Sequence, residues 1–227
     1  MRAMGEMITL TAADGFQLAA YKAEPAGQPR GGVVVIQEIF GVNDHVRSVA
    51  DLYAANGYVA IAPALFDRVG PGIELGYADA DMQAGAGIAI GKLDQKNTLA
   101  DITAAVAEAG KAGKVGVVGY CWGGLQTALA TIFVPGVAAG SSYYGGGIGT
   151  IVDQTPKVPL MCHFAEKDGF IPLSDVEKVK AAWPDAIVYV YEGVDHGFNC
   201  DHRGVYDETA AALARSRTLE FFAKHVG

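Results

Sequence analysis

The sequence predicts an α/β fold: a mostly parallel central sheet, helices on both faces, and an antiparallel hairpin at the N-terminus. Three observations predict it. Short apolar runs that suit strands covered on both faces recur along the chain. Segments with helical spacing separate them, and the alternation continues to the C-terminus. The 227 residues, 51% of them hydrophobic, supply one core and are expected to form one domain over 1–227.

The elements follow in order. Glu6–Thr11 and Phe16–Ala23 alternate as strands, and Asp14-Gly15 between them reads as a hairpin turn. Val33–Ile36 is an unbroken apolar strand. Asp44 to Asn56 is predicted helical through Val46, Val49, Leu52 and Tyr53, with Gly57 as its stop. Tyr58–Ala62 is a strand ended by Pro63. Asp67 to Gly91 is the least regular stretch, readable as a flap over a site or as a long connection. Lys96–Gly110 is predicted helix, Lys114–Tyr120 strand, Leu125–Phe133 helix and Val137–Tyr143 strand. Val158–Phe164, Ser174–Ala182, Ile187–Tyr191 and Asp207–His225 continue as strand, helix, strand and helix. No internal repeat or interdomain linker is visible.

Composition excludes several classes. Formal net charge is −8 without a basic cluster, so a nucleic-acid partner is not expected. No run of about 18 apolar residues offers a membrane span. Met1 to Leu10 carries Glu6 and Thr9 where a secretion signal needs an apolar run. Three unpaired-looking cysteines without CxxC or zinc spacing fit reduced thiols in a cytoplasm, with no metal and no cofactor expected.

Gly119-Tyr120-Cys121-Trp122-Gly123 follows a predicted strand and precedes a helix. This is the G-x-S-x-G nucleophile elbow of α/β-hydrolases, with cysteine in place of serine. A nucleophile at the tip of so sharp a bend needs glycines two residues either side. The helix that starts there favours a thiolate. The plain alternative is a buried structural cysteine at a glycine-rich strand end.

In this fold the chain order is nucleophile, acid, histidine. His196 lies past a strand and before the final helix, where the base belongs; His45, His163, His202 and His225 suit packing or surface positions. Asp168 follows the strand Val158–Phe164 and is the expected acid, with Glu166 and Asp195 as competitors. Asp195 is discounted because adjacent residues seldom orient each other's rings. Gln37-Glu38-Ile39-Phe40-Gly41 ends the strand Val33–Ile36, and this loop is expected to supply the Ile39 amide to an oxyanion hole whose other donor is the Trp122 amide. Glu38 is either part of the chemistry or a structural carboxylate tied to backbone or an arginine.

Gln-Glu-Ile-Phe-Gly at 37–41, Gly-Tyr-Cys-Trp-Gly-Gly at 119–124, Tyr143-Tyr144-Gly145, Asp168 and His196-Gly197-Phe198 together resemble the dienelactone hydrolase family over nearly the whole chain. The resemblance implies a monomeric, carboxymethylenebutenolidase-like enzyme that opens an enol-lactone to give maleylacetate in aromatic catabolism. It also implies that Glu38 pairs with the resting thiol until substrate displaces it. Family members active on dienelactone carry two arginines for the substrate carboxylate. Here Cys200 stands four residues past His196, and Gly70–Lys111 holds no arginine. Arg68 and Arg203 are the candidates to replace them, each with a surface role as its alternative.

Phe40, Tyr143, Tyr144 and Phe198 are expected to line an apolar pocket, with core packing as the alternative for the tyrosines. Cys162, inside an apolar strand, is expected to be inert, and Cys200 accessible but without an activating neighbourhood. Gly145-Gly146-Gly147 lacks the lysine and hydroxyl of a phosphate loop, and Gly113–Gly119 has its glycines on the wrong side of a strand for a dinucleotide fingerprint. The expected partner is a small-molecule ester or lactone. A broad carboxylesterase or thioesterase is the second reading, and a binding protein on an inactive hydrolase fold the third.

Overall fold

The computed structural model describes residues 5–227. The reading of Met1–Leu10 as lacking a secretion signal falls partly on residues 1–4, outside the described residues. Eight strands form one sheet: β1 (Glu6–Thr11), β2 (Gln17–Ala23), β3 (Gly31–Ile36), β4 (Tyr58–Pro63), β5 (Val115–Tyr120), β6 (Val137–Tyr143), β7 (Leu160–Ala165) and β8 (Ile187–Tyr191). Their spatial order is β1-β2-β4-β3-β5-β6-β7-β8. The β1–β2 hairpin pairs Glu6 with Lys22 and Thr11 with Gln17, and β2 is also antiparallel to β4. Every other pairing is parallel.

Six α-helices are described: α1 (Asp44–Ala55), α2 (Asp79–Ala89), α3 (Gln95–Ala109), α4 (Trp122–Phe133), α5 (Leu173–Ala182) and α6 (Glu208–His225). Three begin at side-chain caps. Asn43, Asp94 and Asp207 accept from the amides of Val46, Asn97 and Ala210 at 3.3, 3.0 and 2.8 Å. Each such cap is worth about 1 kcal/mol. Alternate residues of β3 point to opposite faces, as a strand requires. Val33 and Val35 join the cluster containing Val46, Tyr53 and Phe222 of α1 and α6. Val34 and Ile36 join Ile102 and Val106 of α3. Among the described residues no helix is long and apolar enough to cross a membrane.

In Asp67–Gly91, the stretch expected to be least regular, α2 occupies the second half. Only Gly85, Ile88 and Ala89 of α2 are buried, so a periodic apolar face was too weak to read. And α4 begins at Trp122 rather than Leu125, directly after the elbow. The parallel strands all end on one side, where the loops carrying residues 37–41, 121, 168 and 196 gather; ligand crevices of open α/β sheets lie at this edge.

Candidate active site

Cys121 sits between β5 and α4 at φ 56°, ψ −120°. Such a conformation costs an L-residue about 1–3 kcal/mol and persists only where its surroundings enforce it. Here they do. The Cys121 amide donates to the Tyr143 carbonyl at 3.0 Å, and its own carbonyl accepts from the Gly124 amide at 2.9 Å. A β-carbon at Gly119 would collide with the Gly123 carbonyl, and one at Gly123 with the Gln37 carbonyl. Only glycine fits at both positions. The thiol is partly exposed, at the positive end of α4.

His196 stands beside it, buried, on the loop between β8 and α6. Its Nδ1 shares a 2.7 Å hydrogen bond with Asp168 Oδ2. Asp168 is itself fixed, because its Oδ1 accepts from the Phe170 and Ile171 amides at 2.8 and 3.1 Å. Burial opposes a charged imidazole, yet the Asp168 hydrogen bond and the neighbouring Cys121 thiol outweigh it and push His196 up to about 10. The competing acids are occupied elsewhere. Asp195 Oδ1 accepts from the His196 backbone amide at 2.6 Å, and Glu166 Oε2 from the Gly193 amide at 2.8 Å.

The two expected oxyanion donors face the same cleft, since Ile39 and Trp122 both line it. Trp122 is the first residue of α4, so its amide has no intrahelical acceptor. The Ile39 amide makes none of the turn or loop hydrogen bonds among the described residues. Glu38 beside it is 2% exposed, and neither carboxylate oxygen has a hydrogen-bond partner. It is therefore not tied to backbone, and the resting pair with the thiol is not formed in this structure. Arg203 Nη1 lies 4.0 Å from Glu38 Oε1.

Arg203 and Phe40 line the cleft. Arg68 does not. Its guanidinium holds the fully buried Asp101 at 2.7 and 2.9 Å, reaches Asp14 at 2.6 Å, and lies over the Phe16 ring. Asp101, raised by burial and pulled back by Arg68, needs that cation for a partner. Tyr143, Tyr144 and Phe198 are buried behind the cleft instead of lining it. Tyr143 Oη bonds Thr218 at 2.8 Å, and the Tyr144 ring packs edge-on against His196 with Phe198 behind it. Cys200 is buried, not accessible; burial first, then the field of Glu38, pushes its thiol up to about 12. Burial alone pushes Cys162 up to about 12.

The cleft measures about 410 Å³. Besides the residues above it is walled by Met82 and Ala86 of α2, by Ile90 at the C-terminal end of that helix, by Leu125 of α4 and by Phe170. Sequence reasoning missed these. The Met82-Ala86-Ile90 spacing of four was readable as one helix face, and Phe170 follows the acid by two residues.

A candidate nucleophile, an orienting carboxylate and an imidazole, in this chain order on this sheet, match the arrangement of acyl-transfer hydrolases. The sequence pattern of the dienelactone hydrolase family matches residues 18–226. The chain belongs to the dienelactone hydrolase family. A relative in Synechocystis sp., named "Putative carboxymethylenebutenolidase", is 38% identical over 226 residues, covering 91% of each chain. One of the same name in Azospirillum brasilense is 35% identical, covering 97% of this chain and 99% of its own. A Klebsiella pneumoniae structure described as "Putative Dienelactone Hydrolase" superposes with a TM-score of 0.84 at 31% identity, over 97% of this chain and 100% of the other. A dienelactone hydrolase-like promiscuous phosphotriesterase from metagenomic libraries shares the fold at a TM-score of 0.80 and 20% identity, over 99% of this chain and 100% of its own. This dienelactone hydrolase family member is accordingly a carboxylic-ester hydrolase of the α/β-hydrolase fold.

Proposed function

We propose that this protein opens enol-lactones and related activated small esters through a thioester on Cys121, with dienelactone, giving maleylacetate in aromatic catabolism, as the leading substrate. The observation that carries the reading is the Asp168–His196 hydrogen bond of 2.7 Å in the cleft that Cys121 also lines. In the first step the sulfur attacks the carbonyl carbon. The C–S bond forms, the ring C–O bond breaks, and the proton of the thiol, carried by His196, passes to the departing oxygen. An enolate leaves readily, so a soft nucleophile suffices. Water then attacks the thioester and gives a proton to His196. The C–S bond breaks, and the thiol is restored. The Ile39 and Trp122 amides hold the oxyanion in both steps, each worth about 2.7–4 kcal/mol by analogy with other holes. Glu38, next to Ile39 and without a hydrogen-bond partner, is a second acceptor for the thiol proton once substrate binds. Cysteines outside any disulfide fit work in a reducing cytoplasm, by a monomer with no cofactor.

A broader carboxylesterase is the second reading, favoured by the commitment of Arg68 to Asp101. Arg203 remains as the cation at the cleft, and Glu38 draws on its charge. Charge selection is therefore expected to be modest. The test offers enol-lactone acids, their neutral methyl esters, aryl esters and thioesters to the parent, Cys121→Ala and Arg203→Ala proteins. Cys121-dependent turnover of the lactone acid, with an acid preference erased by Arg203→Ala, supports the leading reading. Turnover that survives Cys121→Ala overturns it, and a parent preference for the neutral ester favours the second.

A further inference from the structure

Ile90 and Phe170 are 80% and 70% exposed, the two most exposed large hydrophobic side chains among the described residues. Isolated exposed hydrophobics are ordinary. These two line one cleft together with Met82, Ala86 and Leu125. Arg203 and His196 are the only ionisable side chains in the wall besides the thiol. A volume of about 410 Å³ lies in the ~300–1,000 Å³ range of pockets that bury drug-sized ligands, more than a compact lactone acid fills.

The two walls have different chemical neighbours. Phe170 packs edge-on against His196, ring centroids 5.1 Å apart. Because His196 protonates the leaving oxygen, the alcohol part of an ester lies on the Phe170 side. The other wall is α2, seated directly on the oxyanion loop. A β-carbon at Gly85 would collide with the Ile39 carbonyl, so the helix can come this close only with glycine there. Met82 and Ala86, with Ile90 as the helix's C-cap, follow at spacings of four and turn one side of α2 and its end to the cleft. With the carbonyl oxygen held at Ile39 and Trp122, the remaining substituent of the acyl carbon points along α2.

We propose that α2 forms an acyl-chain site, and that the substrates turned over best are activated esters or lactones bearing an apolar chain on the acid side. The proposal rests on the reading of Cys121 as nucleophile. Burying one methylene fully is worth about fourfold; a cleft open along one side is expected to give at least about tenfold in kcat/KM from acetate to hexanoate.

The test measures kcat/KM for 4-nitrophenyl acetate, butanoate and hexanoate with the parent and with Cys121→Ala, Ala86→Phe, Ile90→Ser and Phe170→Ala. The expected result is a hexanoate-to-acetate ratio of about ten or more in the parent. That ratio falls several-fold in Ala86→Phe and in Ile90→Ser, whose site is too exposed to endanger folding, and holds in Phe170→Ala. A flat chain-length profile with turnover still dependent on Cys121 overturns the acyl-chain site alone. So does a ratio lost in Phe170→Ala and kept in both α2 variants. Turnover that does not depend on Cys121, or none with any ester, overturns the reading beneath it.

Discussion

Asp168 and Asp195 both hydrogen-bond His196, but at different atoms. Asp168 holds the ring nitrogen and Asp195 the backbone amide. Asp168→Asn is expected to lower kcat/KM by about 10⁴, the scale seen when a triad acid becomes an amide and the imidazole takes the wrong tautomer. Asp195→Asn is expected to cost less than tenfold; steady-state kinetics on one aryl ester ranks the two, and the reverse order would reassign the acid. The charge state of His196 gives a second expectation. Its pKa rises from 6.5 in the unfolded chain to about 10 in the fold. The folded state thus binds the proton more tightly. The resulting stabilisation is complete below about pH 6.5, declines above it, and is gone past about pH 10. The difference in Tm between the parent and His196→Gln should follow that course; a difference that stays flat from pH 7 to 10 would show a neutral imidazole. Chain order made Cys121, Asp168 and His196 legible. The orphaned carboxylate of Glu38 and the burial of Cys200 depend on how loops pack over one another, which no local pattern encodes.

Among the elements, strands and capped helices were legible because each carries its own period. The segment from Asp67 to Gly91 was not, because α2 is held by backbone proximity at Gly85 and by the burial of Ile88 and Ala89, not by an apolar stripe. Arg68 was misread for a related reason. Its position after β4 suggested the cleft, but the carboxylate that claims it lies on α3, 33 residues further along the chain. Arg68→Ala leaves Asp101 buried without its cation. The expected loss is about 3–5 kcal/mol of stability, as for other broken buried pairs. Denaturant unfolding measures this, and acid-over-ester selectivity measured alongside should not change. A stable Arg68→Ala protein with altered selectivity would return Arg68 to the site.

Over the whole molecule, the parallel sheet converts a linear order into a point. Loops after β3, β5, β7 and β8, spread from residue 37 to residue 198, meet at one edge because parallel strands end together. That convergence was legible from the strand–helix alternation and the elbow motif. The shape of the cleft was not, since half of its wall comes from α2 and from side chains with no motif of their own. The aromatic residues beside the motifs, Tyr143, Tyr144 and Phe198, turned inward to pack behind His196. The chemistry proposed at this edge is a thioester on Cys121. Acid-quenching the enzyme during turnover of a slow aryl ester, then mapping the peptides by mass spectrometry, tests it most directly. The expected result is one acyl group, on the peptide carrying Cys121, increased in Asp168→Asn or unchanged there but absent in Cys121→Ala. An acyl group on Cys162, on Cys200 or on a hydroxyl residue, with full turnover retained in Cys121→Ala, would contradict it.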